Sequence, residues 1–131
     1  ALLIKKIAAR KKIDILIIGG HGYPHGILFG YTLIARESDI HHKPAGYLGE
    51  EELNISFFKD IKNCFSTEAV CYLNSCSTGK GDKPIADEVS RILGIKVYAP
   101  TVNGGVSIKV KPNGELEFKY SLEPRTFIPR E

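Results

Sequence analysis

The chain reads as an α/β protein built on a mainly parallel sheet, and three observations predict it. Two near-continuous apolar runs, "IDILIIG" from Ile13 and "AVCYLNS" from Ala69, have the composition of parallel strands buried on both faces. Segments of helical periodicity alternate with such strands, which calls for right-handed crossovers packed on a sheet. The end of the chain then switches to period-two alternation around a Pro-Asn-Gly turn, the signature of a C-terminal β-hairpin.

Taken in order, Leu3, Ile4, Ile7 and Ala8 recur at helical spacing while Lys5, Lys6 and Arg10 fill the other face, so residues 2–11 are predicted as an amphipathic helix covering the sheet. The first buried strand follows from Ile13. "ILFGYTLIA" from Ile27 is read as one further strand, weakened by Gly30. Residues 36–52 are polar, contain Pro44, Gly46 and Gly49, and read as a long surface loop. Ser56 is placed to cap a helix carrying Phe57, Phe58, Ile61 and Phe65 on one side. After the strand from Ala69 comes the glycine-bearing loop "CSTGKGDK". Asp82 and Pro84 announce a helix with Ile85, Val89, Ile92 and Leu93 on one stripe, and Gly94 is suited to end it. "IKVYAPT" is a strand, and "VSIKVKPNGELEFKY" is a hairpin appended to the parallel sheet.

Composition bounds the function. At 131 residues and 43% hydrophobic content the chain forms one domain, residues 1–131, with enough apolar material for a core. A net charge of +3, with lysines scattered among glutamates, argues against a nucleic-acid surface. No run approaches the ~18 apolar residues of a membrane span, so no membrane partner is expected. "ALLIKKIAARKK" lacks a signal-cleavage pattern and an initiating Met, so the chain is expected to be a piece of a longer protein. Three cysteines are an odd number for a disulfide framework, which favours free thiols in a reducing compartment. Cys64, Cys71 and Cys76 form no C-x-x-C knuckle, so no metal is predicted. No cofactor is predicted either, and the charges are too dispersed to predict an activating ligand.

The candidate chemistry lies where strands end. In an open parallel sheet the loops at the carboxyl ends gather along one edge, where ligands bind. The strand from Ile13 delivers His21 into "GGHG", and the strand from Ala69 delivers Cys76, past its apolar run and between Ser75 and Ser77. If these strands are neighbours, a thiol and an imidazole face one substrate, as a cysteine hydrolase requires. Gly22, with no side chain to crowd the cleft, and the amide of Cys76 are the candidate oxyanion donors. Cys71 and Cys64 read as small core residues instead. His25 is a rival to His21, which lies nearer the strand end; His41 and His42 read as solvated. A cysteine-dependent phosphatase loop would need Arg where Asp82 stands, and "TGKG" lacks the frame of a phosphate-binding P-loop.

These residues resemble the caspase-like cysteine peptidases, whose mark is an apolar strand ending in His-Gly and a second one ending in a small residue and Cys. Here those are "ILIIGGHG" and "AVCYLNSC", and the 55 positions from 21 to 76 are close to the roughly 50 of the caspase pair. The similarity runs from about Ile13 to Thr101, and "LNSCSTGKGDKPIADEVSRILGIKVYAPT" is similar to toxin- and effector-associated bacterial branches.

The resemblance implies a three-layer sandwich, completed by flanking sequence, and an endopeptidase with His21 and Cys76 as its dyad and Gly22 as an oxyanion donor. It further implies a protein or peptide substrate, with the protein's own flanking chain as one candidate, and a cytoplasmic location or delivery into a host cytoplasm. It also implies substrate-binding residues after the strand that follows the cysteine helix, here Pro100 and Thr101. A caspase-type Q-A-C-R-G is absent around Cys76, so a preference for aspartate is not implied. Two other readings stand beside this one: a caspase-like fold that serves only as a binding or scaffolding module, and another thiol-based transferase.

Overall fold

The structure, a computed structural model, describes residues 2–29, 32–35, 51–102, 106–120 and 122–129. In chain order its elements are α1 (Leu2–Ala8), β1 (Ile13–Gly19), β2 (His21–Tyr23), β3 (Gly26–Phe29), β4 (Thr32–Ala35), β5 (Glu51–Asn54), a 3-10 helix (Ile55–Cys64) and β6 (Phe65–Asn74). There follow α2 (Ile85–Leu93), β7 (Lys96–Ala99), β8 (Val106–Val110), β9 (Leu116–Tyr120) and β10 (Arg125–Phe127). The fold is mixed α/β with a mainly parallel central sheet.

That sheet has the order β1-β6-β7-β10: the first three strands are parallel and β10 closes antiparallel on β7. Alternation along its strands sorts side chains onto two faces. Leu16 and Ile18 of β1, Cys71 and Leu73 of β6, and Val97 and Ala99 of β7 turn to one face. There they meet Ile85, Val89, Ile92 and Leu93 of α2 and Phe58 and Ile61 of the 3-10 helix in one core. Ile4 and Ala8 of α1 pack onto the same core. Burying each of these aliphatic side chains contributes roughly 1.5–3 kcal/mol, and α2 supplies the densest row of them. Gly94 ends α2 in the left-handed region, φ 67°, its N–H donating to the carbonyl of Ser90.

The opposite face is covered differently. Tyr72 stacks between Tyr98 and Phe118, with ring centroids 5.2 and 3.7 Å away. The Tyr120 hydroxyl donates to the carbonyls of Leu73 and Tyr98. The hairpin of β8 and β9 therefore lies across this face as its own two-stranded sheet. Its turn is closed by Lys111 and Gly114 backbone bonds and by Asn113 Oδ1, which accepts from the Glu115 N–H.

Several expectations are corrected here. β1 is buried on one face only: Ile15 and Ile17 are 42% and 40% exposed, because the helical elements described all pack on the other side. In α1, Ile4 and Ala8 face the core while Ile7 is exposed. The single strand expected from Ile27 is two, β3 and β4, paired antiparallel, and with β2 and β5 they form a separate sheet in the order β2-β3-β4-β5. The helix expected after Ser56 is a 3-10 helix, in a segment whose only strong α-formers are Lys59 and Lys62, and Phe65 already belongs to β6. The hairpin covers the sheet rather than extending it, and the edge is taken by β10. Residues 36–50 of the expected loop, with His41 and His42, lie outside the described residues, while Glu51 and Glu52 begin β5. Among the described residues no helix is long and apolar enough to cross a membrane.

Candidate active site at the carboxyl edge of the sheet

The register of two adjacent parallel strands builds the site. β1 and β6 are neighbours, and their ladder ends at the pair Gly19–Asn74. His21 lies two residues beyond Gly19 and Cys76 two residues beyond Asn74, so both leave the sheet at the same level from strands ~4.8 Å apart. His21 is exposed and Cys76 half-buried.

Beyond this edge the chain does not enter an open glycine loop. His21 opens β2, which turns back through Pro24 and His25 and pairs with β3, His21 opposite Leu28 and Tyr23 opposite Gly26. In a two-residue hairpin the closing pair, Tyr23–Gly26, is hydrogen-bonded, and antiparallel alternation leaves Gly22–Ile27 as a non-bonded pair. Because β2 is an edge strand, the Gly22 N–H is directed away from β3.

The glycines have specific causes. A Cβ on Gly22 would meet the Cys76 carbonyl oxygen at 2.5 Å and the Ser75 carbonyl carbon at 2.8 Å. The histidine strand thus lies directly against the backbone that carries the cysteine. Gly20 has φ +143°, and a Cβ there would meet the Leu28 carbonyl oxygen at 2.5 Å. Both glycines permit close backbone contact within the protein, and for Gly22 this packing cause stands beside the expectation that it leaves the cleft uncrowded.

The cysteine loop is fixed by its own hydrogen bonds. Thr78, fully buried, donates from Oγ1 to the Ser75 carbonyl at 2.9 Å, and the Lys80 N–H donates to the Ser77 carbonyl at 3.1 Å. Ser77, directly after the cysteine, has φ 58°, a conformation that turns the chain sharply. The Ser77 N–H donates to the Val102 carbonyl and the Gly79 N–H to the Pro100 carbonyl. Pro100, buried, and Thr101, half-buried, therefore run alongside the cysteine loop.

The start of α2 joins the two halves of the site. Its Ile85 N–H donates to the Pro24 carbonyl at 2.8 Å, at the tip of the histidine hairpin, and its Ala86 N–H to the Thr78 carbonyl at 3.2 Å. Sequence patterning placed a helix start at Pro84 but gave no sign that its free amides would clamp both loops; the absence of a side-chain cap is the trace such a role leaves.

His25 sits at the hairpin turn, its ring centroid 6.1 Å from that of Tyr23. All three cysteines are free thiols. Cys64 and Cys71 are buried, and desolvation pushes the Cys71 thiol up to about 12. Among the described residues no three His, Cys, Asp or Glu side chains are grouped to hold a metal ion.

A family model described as "Domain of unknown function (DUF8616)" matches residues 3–117. No curated protein and no solved structure matches. The chain belongs to the DUF8616 family.

Proposed function

We propose that this member of the DUF8616 family is a cysteine endopeptidase of caspase-like type. The observation that carries the reading is the close approach of the histidine strand, at Gly22, to the backbone of Ser75 and Cys76, just beyond the common end of the β1–β6 ladder at Gly19–Asn74. A peptide carbonyl bound there is attacked by the Cys76 sulfur, and the C–S bond forms as the carbonyl π electrons move onto oxygen. The Gly22 and Cys76 amides stabilise that oxyanion. His21 takes the thiol proton and returns it to the leaving amine as the C–N bond breaks. Water, deprotonated by His21, then hydrolyses the thioester and restores the thiol.

Pro100 and Thr101, held along the cysteine loop, form the wall on which the substrate chain lies. In this reading the sheet is the centre of a three-layer sandwich, with Ile15 and Ile17 on the face opposite the helices. The substrate is a protein or peptide, the flanking chain among the candidates. Free thiols suit a reducing compartment, whether the cytoplasm or a host cytoplasm reached by delivery.

Incubating wild type and Cys76→Ala with a peptide library tests the proposal. Cleavage that disappears in Cys76→Ala supports it. A fully folded wild type that cleaves nothing, yet binds library members through the same surface, favours the binding-module reading instead.

A further inference from the structure

The polar partners of the cysteine loop lead to the far edge of the sheet. Arg125, on β10, stands opposite Ala99 at the carboxyl end of β7. Its Nη1 donates to the Gly79 carbonyl at 3.2 Å and to the Gly81 carbonyl at 2.8 Å. The guanidinium carbon lies 4.7 Å from the centre of the Phe127 ring, a buried side chain on the same strand, so the cation is held on an aromatic seat.

Three of the loop's earlier carbonyls have donors within the protein, Ser75 from Thr78, Ser77 from Lys80 and Thr78 from Ala86. Those of Gly79 and Gly81 are the ones Arg125 takes. This is the end of the loop with the greatest intrinsic freedom, since two glycines lie within three residues and Gly81 sits at φ +87°. A seated cation bridging both carbonyls removes that freedom.

We infer that Arg125 is a positioning residue for Cys76: by fixing the Gly79 and Gly81 carbonyls it holds the loop that presents the thiol beside His21. The catalytic consequence rests on the peptidase reading; the fastening of the loop does not.

Arg125→Leu, which keeps an apolar contact with Phe127 but no donor, and Arg125→Lys, which keeps a cationic donor, test the inference. Two quantities are read: amide exchange along the chain, and inactivation by a peptidyl acyloxymethyl ketone resolved into a limiting rate and a half-saturating concentration. Arg125→Leu is expected to quicken exchange at Gly79 and Lys80 about tenfold or more while β6 and α2 amides are unchanged. Its limiting rate falls roughly 10- to 100-fold with the half-saturating concentration within about twofold, the size of effect a small misplacement of a reacting group produces. Arg125→Lys recovers a large part of both.

A folded Arg125→Leu protein with unchanged exchange overturns the inference, and so does quickened exchange with an unchanged limiting rate. Should Arg125→Leu fail to fold, Arg125→Lys is read by the same two quantities, and wild-type exchange and rate in it count against a role for the two-carbonyl bridge. A wild type whose Cys76 ignores the reagent refutes the peptidase reading instead. Exchange alone then decides whether Arg125 fastens the loop.

Discussion

Gly22 is where the proposed chemistry and the packing of the site meet in one residue. Its missing side chain is demanded by the backbone of Ser75 and Cys76, so Gly22→Ala must push the histidine strand away from the cysteine loop. The expected result is a loss of about 1–3 kcal/mol of stability, the range for forcing an extra carbon into a filled space. Urea unfolding measures it, and Cys76 labelling should fall in the protein that remains folded. The contrast among the three thiols makes a second prediction. Cys71 is fully buried with its thiol pushed up to about 12, so at pH 8 it carries almost no thiolate. Iodoacetamide followed by peptide mass spectrometry should modify half-buried Cys76 and leave Cys71 and buried Cys64 untouched under native conditions. Appreciable native-state modification of Cys71 would contradict its burial.

At the scale of elements, α2 is the piece whose start and end are both set by backbone chemistry. Gly94 ends it at positive φ with open space around the missing Cβ, so Gly94→Ala tests conformation alone. Thermal or urea unfolding should register about 1 kcal/mol of destabilisation. The hairpin is held to the sheet by the Tyr72–Phe118 stack and the Tyr120 hydroxyl. Phe118→Ala should therefore weaken its docking by about 0.5–1.5 kcal/mol beyond the area lost, seen as faster amide exchange in β8 and β9. Which elements were legible in the sequence follows from how local their causes are. The stripe of α2, its Gly94 stop, the Pro-Asn-Gly turn and the strands around Ile15, Cys71 and Val97 are each written within a few neighbours. The split of "ILFGYTLIA" into two paired strands and the existence of β10 depend on partners far along the chain, so no local period reveals them. The site shows the same division. His21 and Cys76 stand out because each follows an apolar run, but the cause of Gly22 is a backbone contact 54 positions away. The Arg125 bridge joins residues 44 and 46 positions apart.

For the whole molecule, the central sheet has one face sealed by helices and the other partly covered by an aromatic stack, and this arrangement sets its response to alkali. Burial raises Cys71, and burial followed by the neighbouring Tyr98 phenol raises Tyr72; Tyr120 is raised by burial first, then by Cys71 and the other two tyrosines. Each group is an acid that holds its proton more tightly folded than unfolded, so the folded state binds more protons once the unfolded groups ionise. The stabilisation from Cys71 is complete below its ordinary value of 9.0 and is lost as pH climbs toward about 12, with the tyrosines adding to the same slope from about 10 upward. Melting temperatures between pH 8 and 11 should fall steadily, and less steeply in Cys71→Ala. Above that response stands the claim that one edge of this sheet is a peptidase site, with His21 and Cys76 acting on one carbonyl. Its most direct measurement is the rate at which a labelled peptidyl acyloxymethyl ketone modifies wild type, Cys76→Ala and His21→Ala. A single label on Cys76 is expected, with none in Cys76→Ala and a rate reduced roughly 10²–10⁴-fold in His21→Ala. A label that settles on Cys64 or Cys71, or a His21→Ala protein that reacts as fast as wild type, would contradict it.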